Sequence, residues 1–452
     1  MTSFSAYRRF FVLGMARSGI AVSGLLARDG RAVTVYDDDG AVRAKFLGSD
    51  VAREFGDRIA VATLDGARQV IAATDCVVVS PGVPLDHAIV VAARKAGLPV
   101  IGEIEAAYHF TRARIVGVTG TNGKSTTVGV IGGILNAGGI DAVVAGNIGT
   151  PLADVVRERD PHTLVLELSS FQLDTIDDFR ADVAVLLNVT PDHLDRYHHS
   201  FAEYAASKER ILNRATGATV YVYNHEDEVA RAIATRHPAT GIPFSSARVL
   251  DRGVFFESGT IVRVWKGRRE EVIRRGEFTP VGVHNLENAM ASVAAAGALE
   301  IPLEAMRSAL RAYRPLPHRM ELVRVVDGVA YLNDSKATNV DATVKSLISI
   351  EGRSILILGG RDKEGDFSVL VPHLRGVRCV VLMGEAKGVI RRALSGHGEL
   401  VDARDMADAV RIARERARAG DTVLLAPACA SFDMFKNYQE RGEIFRACVN
   451  GL

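Results

Sequence analysis

The sequence has only four cysteines in 452 residues, Cys76, Cys379, Cys429 and Cys448. They are too scattered for a zinc knuckle or a CxxC redox pair and too few to staple a chain of this length, so reduced, mostly buried thiols are expected. An excess of one charge sign is also missing: 55 Lys and Arg stand against 54 Asp and Glu, a formal net charge of +1. This excludes a nucleic-acid binder that relies on bulk positive charge, because counterion release needs a concentrated basic surface. No apolar run approaches the roughly 18 residues that a membrane span needs. The segment MTSFSAYRRFFVLGM lacks the long apolar core and small-residue cleavage site of a signal peptide, so a cytoplasmic protein is expected.

What is present is the composition of a soluble globular protein, 48% hydrophobic and 24% charged. At roughly 150 residues per domain the length suggests about three domains. Short β-branched runs alternate with Ala-rich helical stretches: Phe10–Leu13, Val33–Tyr36, Cys76–Ser80, Ile115–Thr119, Leu164–Leu168, Ala184–Val189, Ile355–Leu358, Val377–Met383 and Val423–Ala426. Runs that are apolar throughout fit strands buried on both faces of parallel sheets, which makes the fold class α/β. Thr219–Ile273 differs, since TVYVYN, GVFFE and TIVRVW alternate with turn residues and predict extra, partly antiparallel strands. Ile104–Arg114 reads as a junction, and PLP at Pro315–Pro317 as a connector, because each Pro lacks a donor and disfavours helix before it. The expected domains are 1–102, 103–315 and 316–452.

The strongest chemical signal is IVGVTGTNGKSTT, Ile115–Thr127: a buried strand, a tight Gly-rich loop, then a helix. Gly120 and Gly123 let the loop, with Thr121 and Asn122, turn amide N–H groups toward phosphate oxygens, and the helix adds the positive end of its dipole. Lys124 would neutralise terminal phosphates, and Ser125 or Thr126 would offer a hydroxyl to Mg²⁺. The spacing is GxxGK[ST], shorter than the strict P-loop. Downstream, Glu167 ends the hydrophobic run TLVLE, where ligands of parallel sheets gather. Asp192, His193 and Asp195 follow another strand, and His193 beside a nucleotide site is a candidate metal ligand. Lys208 lies in a helical stretch, where a solvated charge is the ordinary reading. Gly14-Met-Ala-Arg-Ser-Gly19 follows a strand and opens a helix, with Asp37 about 20 residues on, but Ala16 stands where the dinucleotide fingerprint has its second Gly.

Together these runs resemble the Mur ligase family of peptidoglycan synthesis over essentially the whole chain. The resemblance rests on GTNGKST at Gly120–Thr126, GNIG at Gly146–Gly149, LELSSFQL at Leu166–Leu173, NVTPDHLDRY at Asn188–Tyr197, HNLEN at His284–Asn288, LPHRME at Leu316–Glu321, NDSKATN at Asn333–Asn339 and PACASFDMFKNYQERG at Pro427–Gly442. The SSFQL and ACASFDMFKN runs are similar to its D-glutamate-adding branch. The resemblance implies a Rossmann-like domain for a UDP-sugar, a central P-loop-type ATPase with a mixed sheet, and a C-terminal Rossmann-like domain for the amino acid. Its substrates would be ATP, UDP-N-acetylmuramoyl-L-alanine and D-glutamate, joined through an acyl phosphate.

The resemblance also implies residue roles. Gly120–Thr126 would hold ATP phosphates, with Lys124, Lys208, His193 and Lys336 catalytic. Two Mg²⁺ ions would bind through Ser125, Glu167, His193 and a carbamylated Lys208, which reverses the ordinary reading of that lysine. Asn285, Asn288, Arg319 and Asp334 would contact adenine and ribose. Arg17, Ser18, Asp38, Asp39, Ser80, Asn147 and His193 would serve the UDP-sugar, and Thr338, Lys363, Ser431, Phe432 and Tyr438 the D-glutamate. The family commonly has Gly where Ala16 sits and often Arg or Thr where Asp38 and Asp39 sit, so the uridine contacts are expected to differ in detail. The third domain is expected to swing about Leu316–Arg319, and the chain to be a monomer without nucleic-acid or membrane partners. Folylpolyglutamate synthase shares the ATPase design but has its phosphate loop near the N-terminus, whereas here an entire α/β unit precedes it. An oxidoreductase built on Gly14–Gly19 leaves GTNGKST unexplained, as does a non-catalytic nucleotide-binding regulator the full set of metal and phosphate residues.

Overall fold

The computed structural model describes the chain except residues 1–3, 64–70, 279, 281, 315–316 and 351, so Pro315 and Leu316 of the expected connector lie outside the described residues. Three sheets follow one another along the chain. The first contains β1 (Arg9–Leu13), β2 (Ala32–Tyr36), β3 (Ile59–Val61), β4 (Cys76–Val79) and β5 (Val100–Gly102), in the order β3-β2-β1-β4-β5 and parallel throughout. The second contains β6 (Arg114–Thr119), β7 (Ala142–Gly146), β8 (Thr163–Glu167), β9 (Val183–Leu186), β10 (Val220–Asn224), β11 (Thr240–Ser245), β12 (Gly253–Glu257), β13 (Thr260–Trp265) and β14 (Arg268–Arg274), ordered β14-β13-β12-β11-β10-β9-β6-β8-β7. The third contains β15 (Glu321–Val326), β16 (Val329–Asn333), β17 (Ser354–Gly359), β18 (Val377–Met383), β19 (Glu399–Asp402) and β20 (Thr422–Leu425), ordered β15-β16-β20-β17-β18-β19.

The α/β class holds, with mixed second and third sheets. Strands β4, β8 and β9 are buried at every residue, as expected of parallel strands covered by helices on both faces. In the segment after Thr219, β10 and β11 pair in parallel, while β12, β13 and β14 form the antiparallel part. Strand β9 stops at Leu186, earlier than its apolar sequence suggests, and frees Asn188 to meet the phosphate loop.

The first two sheets share an apolar core, and each has a further one of its own. The shared core runs from Phe10, Val12 and Leu25 through Ile104 and Ala107 to Leu152, Leu166 and Leu186. At the seam Glu103, 2% exposed, accepts the Ala153 N–H at 2.7 Å, and Glu105 accepts the N–H groups of Asp177, Asp178 and Phe179. The third sheet has separate cores on its two faces. All four cysteines are unpaired, three buried and Cys448 half-buried. No described helix is long and apolar enough to cross a membrane.

Candidate active site

The phosphate loop leaves β6 at Gly120 and enters the helix Lys124–Ala137. Gly123 caps that helix at φ 90°, and a Cβ there would lie 2.2 Å from Asn288 Oδ1, so both conformation and space require glycine. Asn188 holds the loop from outside: its Oδ1 accepts Asn122 N–H at 2.8 Å and its carbonyl accepts Thr121 N–H at 2.9 Å. Lys124 Nζ bends back to the carbonyls of Gly120 (2.7 Å) and Thr121 (2.9 Å). Burial lowers its affinity for a proton and Glu167 works in the opposite direction. Ser125 and Thr126 are buried in the first helical turn.

Lys208 comes from the helix Phe201–Glu209 and is 1% exposed. Its Nζ also reaches the Gly120 carbonyl, at 2.9 Å, and lies 4.6 Å from the centre of the Tyr204 ring. Among the described residues it has no carboxylate at ion-pair distance. Burial first, and Lys124 second, push its pKa well below the usual lysine range.

Across the cavity stand Glu167 and His193. Glu167 is 3% exposed; Asn147 Nδ2 donates to its Oε1 at 2.8 Å, and its Oε2 is buried without a hydrogen-bond partner. Burial pulls the His193 imidazole down to about 4 despite Asp192 beside it, leaving a neutral ring able to ligate a metal. A buried carboxylate oxygen with no partner, a neutral imidazole and a hydroxyl at Ser125 form a donor set that suits Mg²⁺ better than any internal pairing. Asp195, by contrast, is exposed.

A second cavity adjoins this one. Asn285, Asn288, Arg319 and Asp334 line it, with Asn122 and Lys336 at the shared mouth. Burial raises the Asp334 carboxyl, whose Oδ2 accepts the Ser346 hydroxyl. Lys336 Nζ sits 3.9 Å from the centre of the Tyr438 ring; burial and then Arg319 lower its amine to about 7.

A third cavity, at the carboxyl ends of β1 and β4, is lined by Arg17, Ser18, Ser80 and Asn147. Asp37 lines it too, accepting Met15 N–H at 2.8 Å. Asp38 and Asp39 do not: Asp38 is tied to His87 (2.9 Å) and Tyr36 (3.0 Å), and Asp39 caps the helix Gly40–Leu47. His193 lines the catalytic cavity and not this one, whereas Asn147 lines both.

Of the residues expected to hold the amino acid, Thr338 and Lys363 border a cleft with Asp192 and Asn339. Tyr438 stands apart beneath Lys336. Ser431 is buried and Phe432 is 64% exposed beyond β20. Asn188 and Asn339 carry no sequence signal beyond their place in the motif runs, because their partners Asn122 and Asp192 lie far along the chain, whereas Asp37 is marked by its spacing from Gly14–Gly19.

Comparison with known proteins agrees with this geometry. Residues 118–296 match the Mur ligase middle domain, 318–429 the Mur ligase glutamate ligase domain, and 8–102 the Mur ligase MurD-like N-terminal domain. A UDP-N-acetylmuramoylalanine--D-glutamate ligase from Geobacter sp. (strain M21) is 42% identical over 98% of this chain and 97% of its own. The enzyme of that name from Geobacter metallireducens is 44% identical, with 98% of both chains covered. The pseudomurein peptide ligase type C of Methanothermus fervidus superposes with a TM-score of 0.63 at 18% identity, over 98% of this chain and 99% of its own, which shows a shared fold.

Proposed function

The chain belongs to the Mur ligase family, and from that premise we propose that it joins D-glutamate to UDP-N-acetylmuramoyl-L-alanine, with ATP going to ADP and phosphate, in peptidoglycan precursor synthesis. The observation that carries this reading is identity above 40% along nearly the full length to enzymes of that name. The site supplies a physical account of the reaction.

A carboxylate is a poor acyl donor. Transfer of the ATP γ-phosphoryl group to the L-alanyl carboxylate gives an acyl phosphate and ADP. The D-glutamate amine then attacks the acyl carbon, expels phosphate and loses a proton. Lys124, lying across the phosphate loop, meets the charge of the transferring group as it develops. Asn285, Asn288, Arg319 and Asp334, which line one cavity, would hold adenine and ribose, and Arg17, Ser18 and Ser80, which line another, the UDP moiety. Lys336, at about 7, can exchange a proton near the attacking amine. D-Glutamate carboxylates would meet Lys363, Thr338 and the Ser431–Tyr438 segment, with Lys363 leaving Asp192 to do so.

Two Mg²⁺ ions would be held by Ser125, Glu167, His193 and Lys208, and bound there they supply neutralisation of phosphate charge. A neutral buried Lys208 is the form that reacts with CO₂, and the resulting carbamate would turn repulsion from Lys124 into attraction. The chain is proposed to act as a cytoplasmic monomer whose third domain closes over the substrates.

The test supplies ATP, Mg²⁺ and UDP-N-acetylmuramoyl-L-alanine and compares D-glutamate with L-glutamate, L-alanine, L-lysine and diaminopimelate. Phosphate release and product are expected with D-glutamate alone. Product with another amino acid and none with D-glutamate overturns the assignment while keeping the ligase class.

A further inference from the structure

We propose that Arg196 is a positioning residue that ties the loop carrying the UDP-sugar to the metal-side wall of the catalytic cavity, an inference that rests on the function proposed above. His193 has φ 54°, in the left-handed region, and the chain turns there into the short helix Leu194–Arg196. That reversal sends Arg196 away from the cavity and toward the first sheet. Its guanidinium lies 4.5 Å from the centre of the Phe171 ring. The same ring meets His193 edge-on at 5.1 Å and lines the catalytic cavity. The guanidinium also faces the carbonyls of Gly82 (3.5 Å) and Val83 (3.4 Å). Gly82 and Val83 line the cavity assigned to the UDP-sugar.

Arg196 therefore touches both halves of the reaction without reaching either substrate cavity's centre. It makes no ion pair among the described residues, and two carbonyl dipoles, an aromatic face and solvent meet its charge. A planar guanidinium can stack on a ring and donate in its own plane at the same time; a lysine ammonium cannot hold both geometries. The distance between the sugar loop and His193 sets where the acyl end of the UDP-sugar sits relative to the transferring phosphoryl group. Displacements of about 1 Å at such a contact can change rates by about 100-fold.

The experiment measures kcat and the KM of each substrate in wild type, R196K, R196M, F171L and R196K/F171L, with melting temperatures recorded for each. R196K is expected to raise the KM for UDP-N-acetylmuramoyl-L-alanine about 10-fold, equivalent to about 1.4 kcal/mol, with the KM for ATP changed by less than about twofold. F171L is expected to reproduce the effect, and the double variant to be little worse than either single one, because both remove the same link. A guanidinium acting only as glue between domains would lower the melting temperature and shift all three KM values together, which overturns the proposal. So does R196K with wild-type constants. R196K keeps the charge and the stem, so it preserves the test where R196M does not fold. Wild-type protein without D-glutamate-dependent phosphate release overturns the function itself, and the Arg196 assignment with it; active wild type with an unaltered R196K overturns only the latter.

Discussion

Lys363 Nζ lies 2.9 Å from Asp192 Oδ1, joining the domain of the third sheet to that of the second. Asn339 Nδ2 donates to the other Asp192 oxygen at 2.9 Å, Asn122 Nδ2 to Asp341 at 2.7 Å, and His199 pairs with Glu364 at 2.7 Å. Burial opposes ionisation of Asp192, yet Lys363, His193 and Asn339 overcome it and hold the carboxyl down at about 2. A dicarboxylate substrate entering this cleft competes with Asp192 for the same ammonium.

Replacing Lys363 by Met is therefore expected to raise the KM for D-glutamate about 10- to 100-fold, the range of one lost charge-assisted hydrogen bond. The KM for ATP should move little. Steady-state titration of each substrate separately checks this, and an unchanged D-glutamate KM removes Lys363 from the amino-acid site.

Lys208→Ala should reduce turnover by more than about a thousandfold, the scale on which charge stabilisation of phosphoryl transfer acts. Short carboxylic acids such as formate or propionate should restore part of it, because they can place an anionic oxygen in the space the side chain leaves. Assays across a concentration series of those acids decide the matter; absence of rescue counts against a carbamate at this position.

Gly123→Ala places a Cβ against Asn288 Oδ1 and holds φ 90° in a region costly for alanine. Strain of about 1–3 kcal/mol is expected at the helix start, with loss of ATP binding by about 10-fold or more. Nucleotide titration by calorimetry tests this, and wild-type affinity would show that the loop can re-form without glycine.

Glu103 gives a pH signature in stability. Burial raises its carboxyl to about 7, so the folded state holds a proton that the unfolded chain releases near 4.5. The contribution is present below the unfolded value and is lost as pH rises from about 4.5 to about 7. Glu103→Gln should flatten that slope, and at pH 8 it should be more stable relative to wild type than at pH 4, by about 3 kcal/mol at most. Urea unfolding at both pH values measures the difference.

The phosphate loop was legible in the sequence because its parts are contiguous: strand, glycines, lysine and hydroxyls lie within Ile115–Thr127. Strand positions were legible for a similar reason, since burial on both faces leaves an unbroken apolar run. Pairings across the fold left no such trace. Asp192 and Lys363 are 171 residues apart, and Asn188 and Asn122 are 66 apart. Lys208 read as a surface charge because its helix face carries Tyr204 and Ser207, polar residues that give no apolar stripe, although all three are buried. In the first domain the family resemblance points to Asp38 and Asp39, while the turn after β2 presents Asp37 to the cavity and turns Asp39 to cap the next helix. A shift of one or two residues in a turn is set by local hydrogen bonds that a sequence motif does not specify.

An apolar core joins the first sheet to the second, whereas the cores of the third contain no residue of the other two. Cooperative unfolding follows shared burial and not the number of sheets. Differential scanning calorimetry should therefore resolve two transitions in the free enzyme, with residues from β1 through β14 melting as a single block. In the proposed nucleotide site ATP would bridge both blocks, through Asn288 on one side and Asp334 on the other, and saturating nucleotide should then draw the two transitions toward one another.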